Sequence, residues 1–391
     1  MINTLREFWS EILFYLLIGA SVMCSPYHTL AQTHFTIIGK LDDTIDNRKV
    51  ILTYRNDDKE YTDSVVVSKG HFRIKGKTDE VTKANIKLST GKAASEKITF
   101  DELFNMDEQS FFLTNTKIKI RGGSLKTAMI KGGAEQREYL IYKSQTVPML
   151  DSIRSLRKQL YASKKNGNPM HTIGMDNLLD SLETVLSDRK ERFIREHSDS
   201  YVALDLLAQR SKEISTPEFE ALFKQLNDNI RNTSLGMEIQ KKIDAVKAST
   251  VGKQAMDFEV EDINGDKITL TSYIGKYVLL DFWASWCMPC RAENPILKQA
   301  YENFSAYNFD ILSVSLDTKR ALWERAIHED GLPWKQVSDL KGAKSPIALG
   351  YGISAIPQNF LIDPTGKIIA KNLRGEDLEK KLKYLLPKKK I

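Results

Sequence analysis

Residues 277–295 read YVLLDFWASWCMPCRAENP. The first eight, YVLLDFWA, form an apolar run broken only by Asp281, the pattern of a strand buried on both faces. Cys287 and Cys290 stand directly after it and are two of the chain's three cysteines. Pro289 between them suits the first turn of a helix, which the stretch CMPCRAENPILKQAYENF then continues. Cysteines at i and i+3 share one face of that turn. Such a pair is a staple, half of a metal site, or a centre for electron transfer.

As a staple it would add little stability, because it closes a very short loop. A structural zinc site needs four ligands, yet there is no second C-x-x-C, and the six histidines are scattered at 28, 34, 71, 171, 197 and 328. A redox role fits the surroundings better. Cys287 falls where the strand gives way to the helix, and a helix N-terminus stabilises a thiolate. Cys290, one turn in, is placed to resolve a mixed disulfide. Trp286 offers a flat surface beside the nucleophile for a substrate peptide. Resolution needs a proton acceptor, and two carboxylates compete for the part. Asp281 is a lone charge in an otherwise apolar strand, which is costly without a purpose. Glu293 lies three residues beyond Cys290, and its competing reading is a first-turn acid favouring the helix dipole. Downstream, Ile356-Pro357 precedes the strand QNFLIDP. A cis bond there would expose backbone groups to a substrate, whereas the bland reading is an ordinary pre-strand proline.

The run D-F-W-A-x-W-C-x-P-C-R-x-E-x-P, followed by G-I-x-A-I-P-x-x-F-L-I-D-x-x-G, resembles the thioredoxin superfamily, and within it the TlpA/ResA/DsbE-like thiol-disulfide oxidoreductases. The resemblance covers residues 251–387. It implies that Cys287 is the nucleophile, that Cys290 resolves, that the Ile356-Pro357 bond is cis and that Glu293 assists. It also implies protein substrates carrying disulfides, an envelope or membrane electron donor, and no cofactor. Asp281 matches the buried acid of thioredoxin itself, which many ResA-like proteins lack, so the division of labour between Asp281 and Glu293 stays open. Asp257-Phe258 resembles the P-x-F start of this family and of peroxiredoxins, without the proline. A peroxiredoxin-type peroxidase is disfavoured, because Ala284 stands where a threonine hydroxyl would be needed. A non-enzymatic binding module with an inactive redox head is disfavoured by the intact W-C-x-P-C. Reduction of protein disulfides is the expected direction, favoured by the thioredoxin-like Ile356 before Pro357, with an oxidase or isomerase as the alternative, since Met288-Pro289 does not fix the potential.

The rest of the chain is organised around this head. At 391 residues two or three domains are expected. Residues 32–132 alternate apolar and polar positions in FTIIGKL, KVILTY, DSVVVSKGHFRIKGK, ANIKLST and KIKIRGG, which predicts an antiparallel all-β sandwich or barrel of roughly eight strands. Its F-x-I-x-G and D-S-V-x-V-x-x-G-x-F-x-I-x-G patterns resemble a β domain often found ahead of envelope thioredoxin-like proteins. Residues 133–249 shift to helical spacing, with about five helices and a breaker at 164–169. They predict an α-helical connector, read either as a spacer or as the surface of a homodimer. Residues 250–391 alternate strand and helix, the thioredoxin-like α/β order of βαβ plus ββα.

At the start, residues 12–23 (ILFYLLIGASVM) are apolar and uncharged, short for a bilayer span and of the length of a signal-peptide core. With Thr29-Leu30-Ala31 behind them, residues 1–31 predict a signal peptide and a periplasmic or cell-envelope location. A lipid anchor at Cys24 is disfavoured by the Ser-Val-Met before it. The net charge of +6 is modest, the Lys388-Lys389-Lys390 tail is a solvated end, and nothing supports nucleic-acid binding.

Overall fold

The computed structural model describes residues 34–42, 45–56, 59–90, 106–165 and 172–386. The signal-peptide segment, Cys24, His28, His171, most of the 164–169 breaker and the lysine tail lie outside them. The chain divides into two compact units, residues 1–137 and 138–391.

In the first unit, eight strands are described: β1 (Phe35–Lys40), β2 (Lys49–Asn56), β3 (Lys59–Val66), β4 (His71–Gly76), β5 (Thr82–Leu88), β6 (Glu108–Leu113), β7 (Lys117–Arg121) and β8 (Met129–Lys131). They form two four-stranded sheets, ordered β4-β1-β7-β8 and β3-β2-β5-β6. The period-two pattern decides the faces. Phe35 and Ile37 of one sheet and Val50, Leu52, Ile86 and Phe111 of the other fall into a single buried cluster. This is the expected β-rich module, and every pairing but one is antiparallel. The exception is β1 with β7, which run parallel. Parallel neighbours need a long crossover, and here the whole of β2 to β6 intervenes.

The second unit opens with helices. They are α1 (Ala134–Lys165, beginning in the first unit), α2 (Thr172–Glu196), α3 (Tyr201–Ala208), α4 (Pro217–Gln225), a four-residue α5 (Asp228–Arg231) and α6 (Ser234–Ala248). Pro217 opens α4, and the Thr216 hydroxyl accepts from the Phe219 N–H, a cap worth about 1 kcal/mol.

The head follows. A short hairpin of β9 (Glu259–Glu261) and β10 (Lys267–Thr269) precedes the main sheet. Then come β11 (Tyr277–Trp283), α7 (Met288–Phe304), β12 (Phe309–Ser315), α8 (Arg320–Asp330), β13 (Lys335–Val337), α9 (Pro346–Gly350), β14 (Gln358–Ile362), β15 (Ile368–Lys371) and α10 (Gly375–Leu385). The five-stranded sheet runs β13-β12-β11-β14-β15. β11 pairs with β12 in parallel and with β14 antiparallel, which makes it the central strand. That position explains its apolar run: all its residues after Tyr277 are buried. The fold is thus the expected multidomain arrangement with a C-terminal thioredoxin-like α/β domain.

Helix α6 is fastened to the head. The Ser249 hydroxyl after it donates to the Tyr351 carbonyl at 2.9 Å. Gly352 has a φ of +67°, and a Cβ there would lie 2.6 Å from Val246 Cγ2. Only glycine allows both the left-handed turn and this close approach.

Candidate active site

The site is built at the C-terminal end of β11. After Trp283 the chain makes a tight loop in which the Cys287 N–H donates to the Ala284 carbonyl at 3.0 Å. Cys287 is then the N-cap of α7, and Pro289 lies in its first turn. Cys287 and Cys290 are joined as a disulfide, with Cα atoms 5.3 Å apart. The Cys290 N–H donates to Cys287 Sγ at 3.2 Å, so the first sulfur already sits against a helix-terminal donor. Cys287 is 5% exposed and Cys290 2%. Both are buried, Cys287 slightly the less so, and Cys287 is flanked by the exposed side chains of Trp286 and Met288.

The loop ahead of the cysteines is held by Asp317, a residue sequence reasoning missed. Its carboxylate is 1% exposed. It accepts from the Ser285 N–H at 2.8 Å, the Ser285 hydroxyl at 2.6 Å and the Ser315 hydroxyl at 2.7 Å. Asp317→Ala should leave these donors unsatisfied in a buried setting and lower the unfolding free energy by roughly 2–4 kcal/mol, read by urea titration of the oxidised chain. Behind the cysteines, Arg291 and Asn294 both reach Asp330 at the end of α8, at 2.6 Å in each case. They brace α7 from outside.

The two candidate proton acceptors are Asp281 on β11 and Glu293 on α7 itself. Asp281 is 4% exposed, and its Oδ2 accepts from the Ser313 hydroxyl at 3.4 Å; that hydroxyl in turn accepts from Trp334 Nε1 at 2.8 Å. Burial pushes the Asp281 pKa up to about 7; the Arg374 charge and the Ser313 hydrogen bond pull it down, while Glu293 pushes it further up. Glu293 also titrates above its usual range because it is partly buried, with Arg374 opposing the rise. Helix α7 starts at Met288, so Glu293 falls in its second turn. The reading of Glu293 as a first-turn, dipole-favouring acid is thereby corrected. It pairs with Arg374 at 3.0 Å instead.

Arg374 connects the parts. Besides Glu293 it donates to the Pro357 carbonyl at 2.6 Å. The Ile356-Pro357 peptide bond is cis. Pro357 sits where β14 begins, and because Gln358 pairs with Phe282 it lies at the same sheet end as the cysteine loop. Ile356 turns its side chain onto the core of the head, which leaves its backbone for the site. One guanidinium therefore ties the acid on α7 to the proline loop. In the sequence Arg374 is an isolated cation between Leu373 and Gly375, and nothing in the motif marks it.

An α/β head with a cysteine pair at a helix N-terminus, a buried carboxylate on the preceding strand and a cis-proline at the same sheet end defines a thioredoxin-like oxidoreductase. Comparison with known proteins gives the family. Residues 251–371 match the model described as the AhpC/TSA family, and residues 35–139 match a domain of unknown function, DUF4369. The chain is 33% identical over 138 residues to the thiol-disulfide oxidoreductase ResA of Bacillus thuringiensis, covering 35% of this chain and 78% of that one. It is likewise 33% identical over 143 residues to ResA of Geobacillus thermodenitrificans, covering 36% of this chain and 80% of that one. Among solved structures, a thiol-disulfide oxidoreductase from Bacteroides fragilis is 42% identical, covering 34% of this chain and all of that one, with a TM-score of 0.33. The chain belongs to the ResA-like thiol-disulfide oxidoreductases.

Proposed function

We propose that the chain is an exported reductase of protein disulfides working in the cell envelope, and that it draws its electrons from an envelope or membrane donor. The observation that carries this reading is the Cys287–Cys290 pair at the start of α7, with Asp281 buried on the strand before it and Glu293 in the second turn of the same helix. In the reduced protein the Cys287 thiolate attacks one sulfur of a substrate disulfide. A Cys287–substrate bond forms, the substrate S–S bond breaks, and one substrate thiolate leaves. Cys290 then loses its proton to a carboxylate and attacks Cys287 Sγ, which frees the second substrate thiolate. Two electrons have passed to the substrate, and the chain is left with the disulfide bond between its two cysteines. The donor restores the dithiol. Cytochrome c maturation is one setting that uses such a reductase.

Export rests on the apolar segment 12–23 and Thr29-Leu30-Ala31. A homodimer through the helical segment belongs to the same reading: Ile141, Ile173, Leu178 and Val185 expose apolar side chains on α1 and α2, and the solution mass of the chain tests it.

The direction of electron flow is tested by the equilibrium potential of the cysteine pair, titrated in a dithiothreitol redox buffer. Trp286 is exposed beside the pair and serves as the fluorescent reporter. A reductase should give a value near or below about −270 mV, the thioredoxin range. A value towards about −120 mV would replace this reading with an oxidase or isomerase.

A further inference from the structure

Between the helical segment and the head lies a cavity of about 310 Å³, at the small end of the roughly 300–1,000 Å³ typical of ligand clefts. One wall is the proline loop, including Pro357. The opposite wall comes from the helical segment, with Lys212 and Ile214, and the rim carries Lys371 and Arg374. No carboxylate lines it. Arg374 spends its charge on Glu293. Lys212 and Lys371 form no ion pair with any described residue. Lys371 is held with its Nζ 4.8 Å from the Phe360 ring centroid, which keeps a partly buried ammonium at the rim. The two walls are fixed against each other by the Ser249–Tyr351 hydrogen bond and by the glycine-only approach of Gly352 to Val246. The cleft is thus a lasting feature of this unit.

We infer that the helical segment completes a cationic subsite beside the Ile356-Pro357 peptide, and that this subsite takes acidic side chains flanking the disulfide of a substrate polypeptide. The inference rests on the reductase reading and adds a substrate class to it. A substrate attacked by Cys287 must run its backbone past the proline loop. Its flanking side chains then enter a space with room for one or two of them, where two unpaired ammonium groups meet them. The helical segment becomes part of substrate selection rather than a spacer.

The experiment uses the full chain, reduced and freed of reductant, in single-turnover reaction with two peptide disulfides. These are identical except that the residues flanking each cysteine are Asp in one and Asn in the other. The acidic peptide should react roughly three- to tenfold faster at low salt, the range expected of partly exposed charge pairs. That preference should shrink near 1 M salt, where the screening length is about 3 Å. The double variant Lys212→Glu/Lys371→Glu should reverse it. Equal rates for the two peptides in the unaltered chain, or a preference that survives both salt and charge reversal, would overturn the subsite. The salt series needs no variant, so a double variant that failed to fold would not remove the test. If neither peptide oxidises the reduced chain, the reductase reading itself fails, a result distinct from equal rates.

Discussion

Cys287→Ser should reduce disulfide turnover to the uncatalysed background, while Cys290→Ser should accumulate a covalent adduct with the substrate. The two expectations follow from the different places of the sulfurs. Cys287 caps α7, accepts the Cys290 N–H, and is the less buried residue of the pair. In the proposed mechanism its thiolate is the attacking group, and a serine hydroxyl at neutral pH is no substitute, since attack on a disulfide requires the anion. Cys290 lies one turn into α7 and is the more buried of the two, so an external disulfide should meet Cys287 first. Its task begins after the mixed disulfide forms. Without it the Cys287–substrate bond has no intramolecular attacker and persists until an outside thiol arrives. Peptide-resolved mass spectrometry of Cys290→Ser after mixing with oxidised glutathione should show a glutathione on Cys287, released by dithiothreitol. An unmodified chain under those conditions, or full turnover by Cys287→Ser, would refute the assignment of roles.

The parts of this site that carry a local pattern were legible in the sequence. YVLLDFWA is apolar apart from Asp281 because β11 is the central strand, and the cysteine spacing specifies one helical turn wherever it falls. Lys335–Val337 and Pro346–Gly350 carry no signal of their own in the sequence. They are too short to show a period, and the sheet or the core supplies their order. The parallel β1–β7 pairing was hidden for a related reason: alternation tells which face is buried but not which neighbour a strand chooses. Arg374 and Asp317 were hidden more deeply. Each acts through partners distant in sequence, Glu293 and Pro357 for the first and Ser285 for the second, so no window of sequence contains the interaction. The cavity beside Pro357 is the extreme case. Its walls come from residues near 212 and near 357, and only the glycine at 352 hints that another segment passes close by.

Asp281→Asn should separate the two carboxylates that the motif left undivided. With a pKa of about 7, Asp281 is largely protonated at pH 5 and largely ionised at pH 9, so it can take the Cys290 proton only as pH rises through about 7. The rate of mixed-disulfide resolution in the unaltered chain should therefore climb through that region and level off above it. Asp281→Asn should lower the plateau on the order of 10²-fold, the usual range for a positioned base, and flatten the climb. Glu293→Gln should have the smaller effect, because the Arg374 ion pair occupies that carboxylate. The same burial has a thermodynamic consequence of fixed sign. The folded pKa of Asp281 lies above its ordinary value of 3.8, so between about 4 and 7 the folded chain binds more protons than the unfolded one, and its stability falls as pH rises. The total loss across that window is at most about 4 kcal/mol. Asp281→Asn removes the ionisation, so its unfolding free energy should change less with pH and exceed that of the unaltered chain above pH 7. Chemical denaturation at pH 5 and pH 9 reads both slopes. A variant with the same pH dependence as the unaltered chain in both resolution and stability would show that Asp281 neither titrates in this range nor serves Cys290, and would transfer the proton to Glu293.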